Sequence, residues 1–192
     1  MAEDREESEA DLAIKARNGD RRAFSLLIEQ TKRPMYRFVR RYVGNDEDAY
    51  DIVQDAYIAA WSALARYDEG RSFLTWLRAI ALNKCRDFRR RNLVRGKLNS
   101  LFSFASPAHE EPLPSQDLGD ERLQRLDSAI AALPAFYKEP LLLTAISGLS
   151  QKEAAEQLKT TPKAIEMRVR RARQKLHDDL IRDLPASGSI ES

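Results

Sequence analysis

The stretch from Asp48 to Arg91 constrains the chain most, because its apolar residues recur with helical spacing while its charges separate by sign. At about 100° per residue, Ala49, Ile52, Val53, Ala56, Ala60 and Leu64 fall on one stripe, which predicts a buried helix face. The opposite face carries Asp48, Asp51, Gln54, Asp55 and Ser62, with Ile58 among them. An apolar side chain inside an acidic face is where a docking partner would gain contact area. It is equally what a solvated helix with one stray isoleucine looks like. A second helix follows, with Phe73, Trp76, Leu77, Ile80 and Phe88 as its apolar stripe and Arg78, Asn83, Lys84, Arg86, Arg89 and Arg90 away from it. The run continues through Arg91, Arg95 and Lys97, with Asp87 the one acid from Lys84 to Lys97. Like charges at helical spacing repel, so such a face suits a polyanion whose phosphates the cations neutralise.

Between the two helices, Arg66, Tyr67, Arg71, Ser72, Phe73 and Trp76 set flat side chains beside positive charge. That combination can hold an unstacked base. Phe73 and Trp76 read equally well as core, which leaves Tyr67 and the arginines as the freer groups.

The runs AYDIVQDAYIAAW and WLRAIALNKCRDFRRR resemble region 2 of bacterial sigma factors, specifically the small extracytoplasmic-function group. Tyr50 and Asp55 each stand where that group usually has Glu. The upstream phrase from Asn18 to Ala49 is similar to the same group, so the likeness spans the first half of the chain. It implies that Asp48, Asp51, Ile52, Gln54, Asp55 and Ile58 dock on the beta-prime clamp helices of core RNA polymerase. It implies also that Arg66, Tyr67, Arg71, Ser72, Trp76, Asn83, Lys84, Arg86, Arg89 and Arg90 melt and read the minus-ten promoter element.

Net charge is only +2, but the average conceals the layout. Glu3, Asp4, Glu6, Glu7, Glu9 and Asp11 crowd the first eleven residues, which predicts an acidic disordered tail over 1–8, whereas 84–97 and 163–175 are strongly basic. With 43% hydrophobic and 32% charged residues the chain is expected to fold as a soluble protein. No apolar run reaches the roughly 20 residues that span a bilayer, and the N-terminus has no apolar signal core. A cytoplasmic protein is therefore expected, and lone Cys85 cannot form an internal disulfide. Cys85 is expected to pack against a neighbour rather than to sense oxidants.

Ser8 starts a helix that ends at Asn18-Gly19, and Asp20 caps another over about 21–32 with Ala23, Phe24, Leu27 and Ile28 inward. Pro34 suits the first turn of a third helix that buries Met35, Phe38, Val39 and Tyr42. Short connections predict a mostly antiparallel bundle over 9–97. Residues 98–119, rich in proline and serine, read as a linker in which Leu101, Phe102 and Phe104 are too apolar for an inert tether. A second helical domain over 120–182 begins with Leu123, Leu126, Ile130 and Leu133 inward, then a helix over 136–147 closed by Gly148, and a loose tail follows over 183–192.

Within that domain LSQKEAAEQLKTTPKAIEMRVRRARQKL reads as helix, turn, helix. Ser150 with Glu153 makes a capping box, and Thr161 followed by Pro162 starts the second helix. Ile165, Val169, Ala172 and Leu176 form a narrow core stripe, leaving Lys163, Glu166, Met167, Arg170, Arg171 and Gln174 outward. Such a helix can lie in the major groove, or it can simply carry a solvated basic face. Lys159 occupies the turn position where glycine is usual, at a cost of about 1 kcal/mol if its backbone is left-handed.

This segment resembles region 4 of the same sigma group, with Glu166 where Lys is common and Met167 where Ser or Thr is common. The likeness implies reading of the minus-thirty-five element by Ser150, Lys152, Thr161, Lys163, Glu166, Met167, Arg168, Arg170, Arg171 and Arg173. It further implies contact with the beta flap of the polymerase and control by an anti-sigma factor. The expectation is an all-α chain of two small helical domains on a flexible linker, with no enzymatic activity, metal or cofactor. No phosphate-cradling glycine run exists, and His109 and His177 have no ligands at metal spacing. The competing expectation is a stand-alone helix-turn-helix repressor or activator that binds duplex as a dimer.

Overall fold

Ser8 begins the first helix with its side chain, whose oxygen accepts the Asp11 amide at 3.2 Å, and α1 runs Glu9–Arg17. The computed structural model describes residues 8–101 and 121–182, with side chains described for 8–94 and 123–181. The expected acidic tail, most of the linker, the C-terminal tail and the side chains of Arg95 and Lys97 lie outside those residues. Then come α2 (Arg21–Val43), α3 (Asp46–Ala63), a 3₁₀ turn Leu64–Arg66 and α4 (Phe73–Leu101). After the undescribed segment follow α5 (Glu121–Ala132), α6 (Ala135–Leu141) running into a π-helical turn Leu142–Ile146, α7 (Gln151–Gln157) and α8 (Pro162–Arg182). The described residues contain no strand, as the all-α expectation requires.

The chain divides into two compact units, Met1–Val39 with Asp46–His109, and Arg40–Asn45 with Glu110–Ser192.

α2, whose residues up to Val39 belong to the first unit, is one helix of 23 residues with Pro34 inside it, not two helices meeting there. Proline removes the hydrogen bond to the Gln30 carbonyl and crowds that oxygen, at a cost of about 3 kcal/mol or more. Continuity is worth more, because it aligns Leu27, Met35, Phe38 and Val39, each fully buried, on one face. Burial of each such side chain contributes about 1.5–3 kcal/mol. Thr31, also fully buried, donates its hydroxyl to the Leu27 carbonyl at 2.5 Å and shares a hydrogen bond with the Tyr57 hydroxyl at 2.8 Å. That pins α2 to α3 one turn before the proline.

On α3 the expected stripe is core, with Ala49, Ile52, Ala56, Ala60 and Leu64 buried and Tyr57 joining them. On α4 the buried face turns away from the expected one. Ala81, Leu82, Cys85 and Arg78 are buried beside Phe73 and Leu77, while Trp76, Ile80 and Phe88 are only half-buried. The helix also continues to Leu101, into the stretch expected to be linker.

In the second unit Ile130, Leu133, Leu141, Leu142, Leu143, Ala154, Ala155, Ile165, Ala172 and Leu176 make the core. Leu123 faces solvent at 51% exposure, so the inward face of α5 starts a turn later than expected. The capping box is present, with Ser150 Oγ accepting the Glu153 amide at 3.2 Å and the Glu153 carboxylate accepting the Ser150 amide at 2.9 Å. Thr161 Oγ1 accepts the Ala164 amide at 3.2 Å and Pro162 takes the first position of α8.

Lys159, in the turn, has φ 51°, the left-handed conformation in which a Cβ crowds the next carbonyl. Lys159→Gly is therefore expected to stabilise the second unit by about 1 kcal/mol. Calorimetry should show its transition rise by roughly 4–8 °C.

Candidate protein-docking groove and nucleic-acid surfaces

The acidic face of α3 becomes a groove when α4 packs beside it. Asp48, Asp51, Gln54, Asp55 and Ile58 line it from α3, with Phe88, Arg91 and Asn92 from α4. Ile58 is 67% exposed, so the isoleucine inside the acidic face is available to a partner. Ile52 lines the floor but is only 3% exposed. Its expected role as a docking contact is corrected to core, because its helical angle turns it toward the Ala49–Ala56 side.

The α4 wall was not anticipated. Phe88 was assigned to the core stripe and Arg91 to the DNA track. Their spacing with Asn92, at i, i+3 and i+4, was the available signal that they share one face. Arg91 stands at the acidic edge, which gives the groove a mixed rim rather than a uniformly negative one.

At the connection between α3 and α4, Asp68 makes a tight turn by accepting the Gly70 amide at 3.0 Å, which holds Arg66, Arg71 and Ser72 outward. Arg71 Nε lies 3.8 Å from Asp68, and Ser72 Oγ donates to Glu9 of α1 at 3.4 Å. Arg17 of α1 pairs with Glu69 at 2.7 Å, so α1 braces this loop.

Tyr67 is corrected. It was expected to be free for a base, but it is 5% exposed and its ring packs on Phe73 at 5.7 Å and Trp76 at 5.3 Å. Its hydroxyl donates to the Arg71 carbonyl at 2.6 Å, so a polar tip that could reach solvent is used inside the loop. Trp76 is half-buried against Tyr67 and Phe73, while Arg66 and Arg71 of the same connection are exposed.

Burial, then the nearby Glu9, Asp68 and Glu69 carboxylates, raise the Tyr67 pKa above its usual value of about 10. Burial likewise raises Tyr57, against the lowering effect of its Thr31 bond. Above about pH 10 the unfolded chain releases these protons before the folded one does. The stabilisation is therefore intact below that pH and lost as pH climbs through the folded values. Denaturant midpoints between pH 8 and 11 are expected to fall at the alkaline end, and Tyr67→Phe to flatten part of the fall.

Along α4, Asn83, Arg89 and Arg90 are exposed, while Lys84 and Arg86 are half-exposed. Arg86 Nη1 donates to Asn83 Oδ1 and Arg90 Nη2 to Asp87, both at 3.2 Å. The cationic face thus persists, ordered by short i to i+3 bonds. Arg78 does not belong to it. It is 8% exposed, with its guanidinium 5.7 Å from the centre of the Phe38 ring, a packing use of a long amphipathic side chain.

In the second unit, α8 presents Lys163, Glu166, Met167, Arg170, Arg171 and Arg173 to solvent, and Lys152 is exposed on α7. Glu166, Arg170, Arg173, Gln174 and His177 line one groove with Gln151 and Thr144. Gln151 and His177, which were not among the residues expected to read DNA, line this groove, and 166, 170, 173 and 177 repeat at helical spacing. Lys163 Nζ pairs with Glu166 at 3.2 Å. Arg168 is corrected: it is half-buried, its guanidinium 4.0 Å above the Phe136 ring and 3.5 Å from Thr160 Oγ1, so it braces α8 instead of projecting. Ser150 spends its hydroxyl within the capping box, donating to Glu153 at 2.7 Å. Among the described residues no cluster of three or more His, Cys, Asp or Glu is placed to hold a metal, and no helix is long and apolar enough to cross a membrane. Cys85 is fully buried.

A helical unit with an acidic, isoleucine-bearing groove and a cationic helix, in one chain with a helix-turn-helix, is the layout of a transcription protein that holds a protein partner and nucleic acid together. The family models for Sigma-70 region 2 and Sigma-70 region 4 match residues 27–93 and 123–176. The RNA polymerase sigma factor CnrH of Cupriavidus metallidurans is 37% identical over 178 residues, covering 89% of this chain and 93% of that protein. The ECF RNA polymerase sigma factor SigD of Mycobacterium tuberculosis is 33% identical over 178 residues, covering 85% of this chain and 79% of that protein. Among solved structures, CnrH in complex with the cytosolic domain of CnrY matches with a TM-score of 0.64 at 34% identity, covering 92% of this chain and 99% of that one. The sigma factor RpoE in complex with the anti-sigma factor NepR from Bartonella quintana matches with a TM-score of 0.66 at 26% identity, covering 83% of this chain and 98% of that one. The chain belongs to the sigma-70 family, in its extracytoplasmic-function group, and is an RNA polymerase sigma factor.

Proposed function

We propose that the groove of Asp48, Asp51, Gln54, Asp55 and Ile58 seats the beta-prime clamp helices of core RNA polymerase. The observation that carries this is Ile58, exposed at 67% among the carboxylates that α3 contributes to the groove. Carboxylates there steer a basic partner and the isoleucine supplies apolar contact at the centre. Arg66, Arg71 and the exposed part of Trp76 then hold the separated minus-ten strand, and Asn83, Lys84, Arg86, Arg89 and Arg90 follow its phosphates.

In the second unit α8 reads the minus-thirty-five element as duplex. Lys152, Arg171 and Arg173 sit on phosphates, and Arg170 and Glu166 face base edges. An arginine suits guanine and a carboxylate suits the amino group of cytosine. The chain acts in the cytoplasm, where it meets the polymerase, and supplies specificity rather than bond-making chemistry. The solved complexes of CnrH with CnrY and of RpoE with NepR support the reading that an anti-sigma factor holds this chain inactive until a signal arrives.

The test is transcription in vitro. Core polymerase with this chain should start RNA at defined sites on genomic fragments. Silence on every fragment, with no copurification of the two proteins, would overturn the proposal.

A further inference from the structure

The exposed face of α3 has a second edge that the groove does not include. Taken around the helix, Tyr50 and Trp61 lie within roughly 40° of Gln54, on the side away from Asp48, Asp51 and Asp55. Ile58 lies between the two edges. Tyr50 is 59% exposed and Trp61 37%, so α3 carries three large apolar side chains outward in a short span.

Both aromatics are held from α2. Trp61 packs on Phe24 with ring centres 5.0 Å apart. The Tyr50 ring lies against Tyr36, centres 4.7 Å apart and planes tilted by 34°. Tyr36 is in turn fixed by its hydroxyl, which donates to Asp46 at 2.5 Å in the first turn of α3. A ring that rests on a fixed neighbour in this way has less rotamer freedom to lose when a partner arrives.

We propose that Tyr50 is a cation-accepting contact for core RNA polymerase, its ring face taking an arginine guanidinium from the partner helix that the acidic groove seats. The inference rests on the docking reading above and names a contact within it. Charge complementarity chooses the occupant. A partner matched to Asp48, Asp51 and Asp55 presents cations, and a cation beyond reach of those carboxylates meets Tyr50 on the opposite edge. The aromatic face attracts it through its quadrupole, most strongly where docking excludes water. A planar guanidinium stacks on such a ring better than a compact ammonium. A neutral aromatic edge on the same outward face thus adds contact for a basic helix without adding charge that other basic proteins would also find.

The experiment is a titration of purified core polymerase with the labelled full-length chain and its variants Tyr50→Leu, Tyr50→Phe and Asp51→Arg, each checked for an unchanged melting curve. Tyr50→Leu keeps the apolar bulk but loses the ring, and is expected to weaken binding about three- to thirtyfold. Tyr50→Phe is expected to recover most of that loss. If Tyr50→Leu binds within about twofold of the parent while Asp51→Arg does not bind, the Tyr50 contact is refuted and the docking groove stands. If Tyr50→Phe is as weak as Tyr50→Leu, the ring face is not the contact and the inference is refuted. If Asp51→Arg binds as the parent does, the docking reading fails and this contact fails with it.

Discussion

Asp51→Arg is expected to weaken binding to core polymerase by at least about a hundredfold, with the fold intact. Asp51 is exposed on the rim of the groove, so nothing inside the unit depends on it. Reversing its charge removes one attraction and sets a cation against a basic partner. Like charges juxtaposed across an interface cost several kcal/mol, and each 1.4 kcal/mol is a factor of ten. Arg91 already stands on the α4 side of the same groove, so the new arginine also meets a resident cation. The duplex-reading surface lies on the second unit and shares no residue with the groove, so binding of the minus-thirty-five duplex should survive. Fluorescence titration against core polymerase, with a duplex-binding assay in parallel, gives both numbers. Loss of both activities together would mean general damage to the chain; loss of neither would mean the acidic face has some other use.

Phe38→Ala is expected to destabilise the first unit by about 3–5 kcal/mol, the cost of truncating a fully buried aromatic without collapse of the site. A domain of this size holds only about 5–15 kcal/mol in total, so this is a large share. Two effects combine at this site. The cavity opens in the middle of α2, next to the turn where Pro34 has already cost a hydrogen bond. The Arg78 guanidinium, 8% exposed and 5.7 Å from the ring centre, loses the surface it packs on. Thermal unfolding should show a drop of well over ten degrees in the first transition. Phe38→Leu, which leaves most of the volume, should lose far less. A drop of only a few degrees for Phe38→Ala would mean that α2 is not the spine of this unit.

The caps and turns were readable because they are local. Ser150 with Glu153, and Thr161 before Pro162, each satisfy amides within one turn, so a short string of letters contains the whole interaction. Lys159 belongs here too: its left-handed backbone was foreseen as a possible cost from its place in the turn. Gly19 and Gly148, where helices were expected to end, both have positive φ.

Errors arose where one long or amphipathic side chain had two acceptable destinations. Tyr67 and Arg78 each read as surface groups beside a cationic run, and each is buried with its apolar body in the core. The Tyr67 hydroxyl donates to the Arg71 carbonyl, and the Arg78 guanidinium lies 5.7 Å from the centre of the Phe38 ring. Pro34 read as a helix start because proline is common there, but the burial that joins 27 to 39 is not visible in the dipeptide.

What the sequence determined by itself was periodicity, charge segregation and punctuation: that the chain is helical, where most helices begin and end, and that an acidic face with Ile58 precedes a basic helix. Those features depend on neighbours within four residues, and helical geometry alone carries them. Only the tertiary structure decided that Phe88, Arg91 and Asn92 share a groove with Asp51 and Ile58, that Tyr36 packs against Tyr50, and that Tyr67 is core. Each depends on the rotation of one helix against another. That rotation is set by the fit of buried side chains across the interface, which a single helix's spacing does not contain.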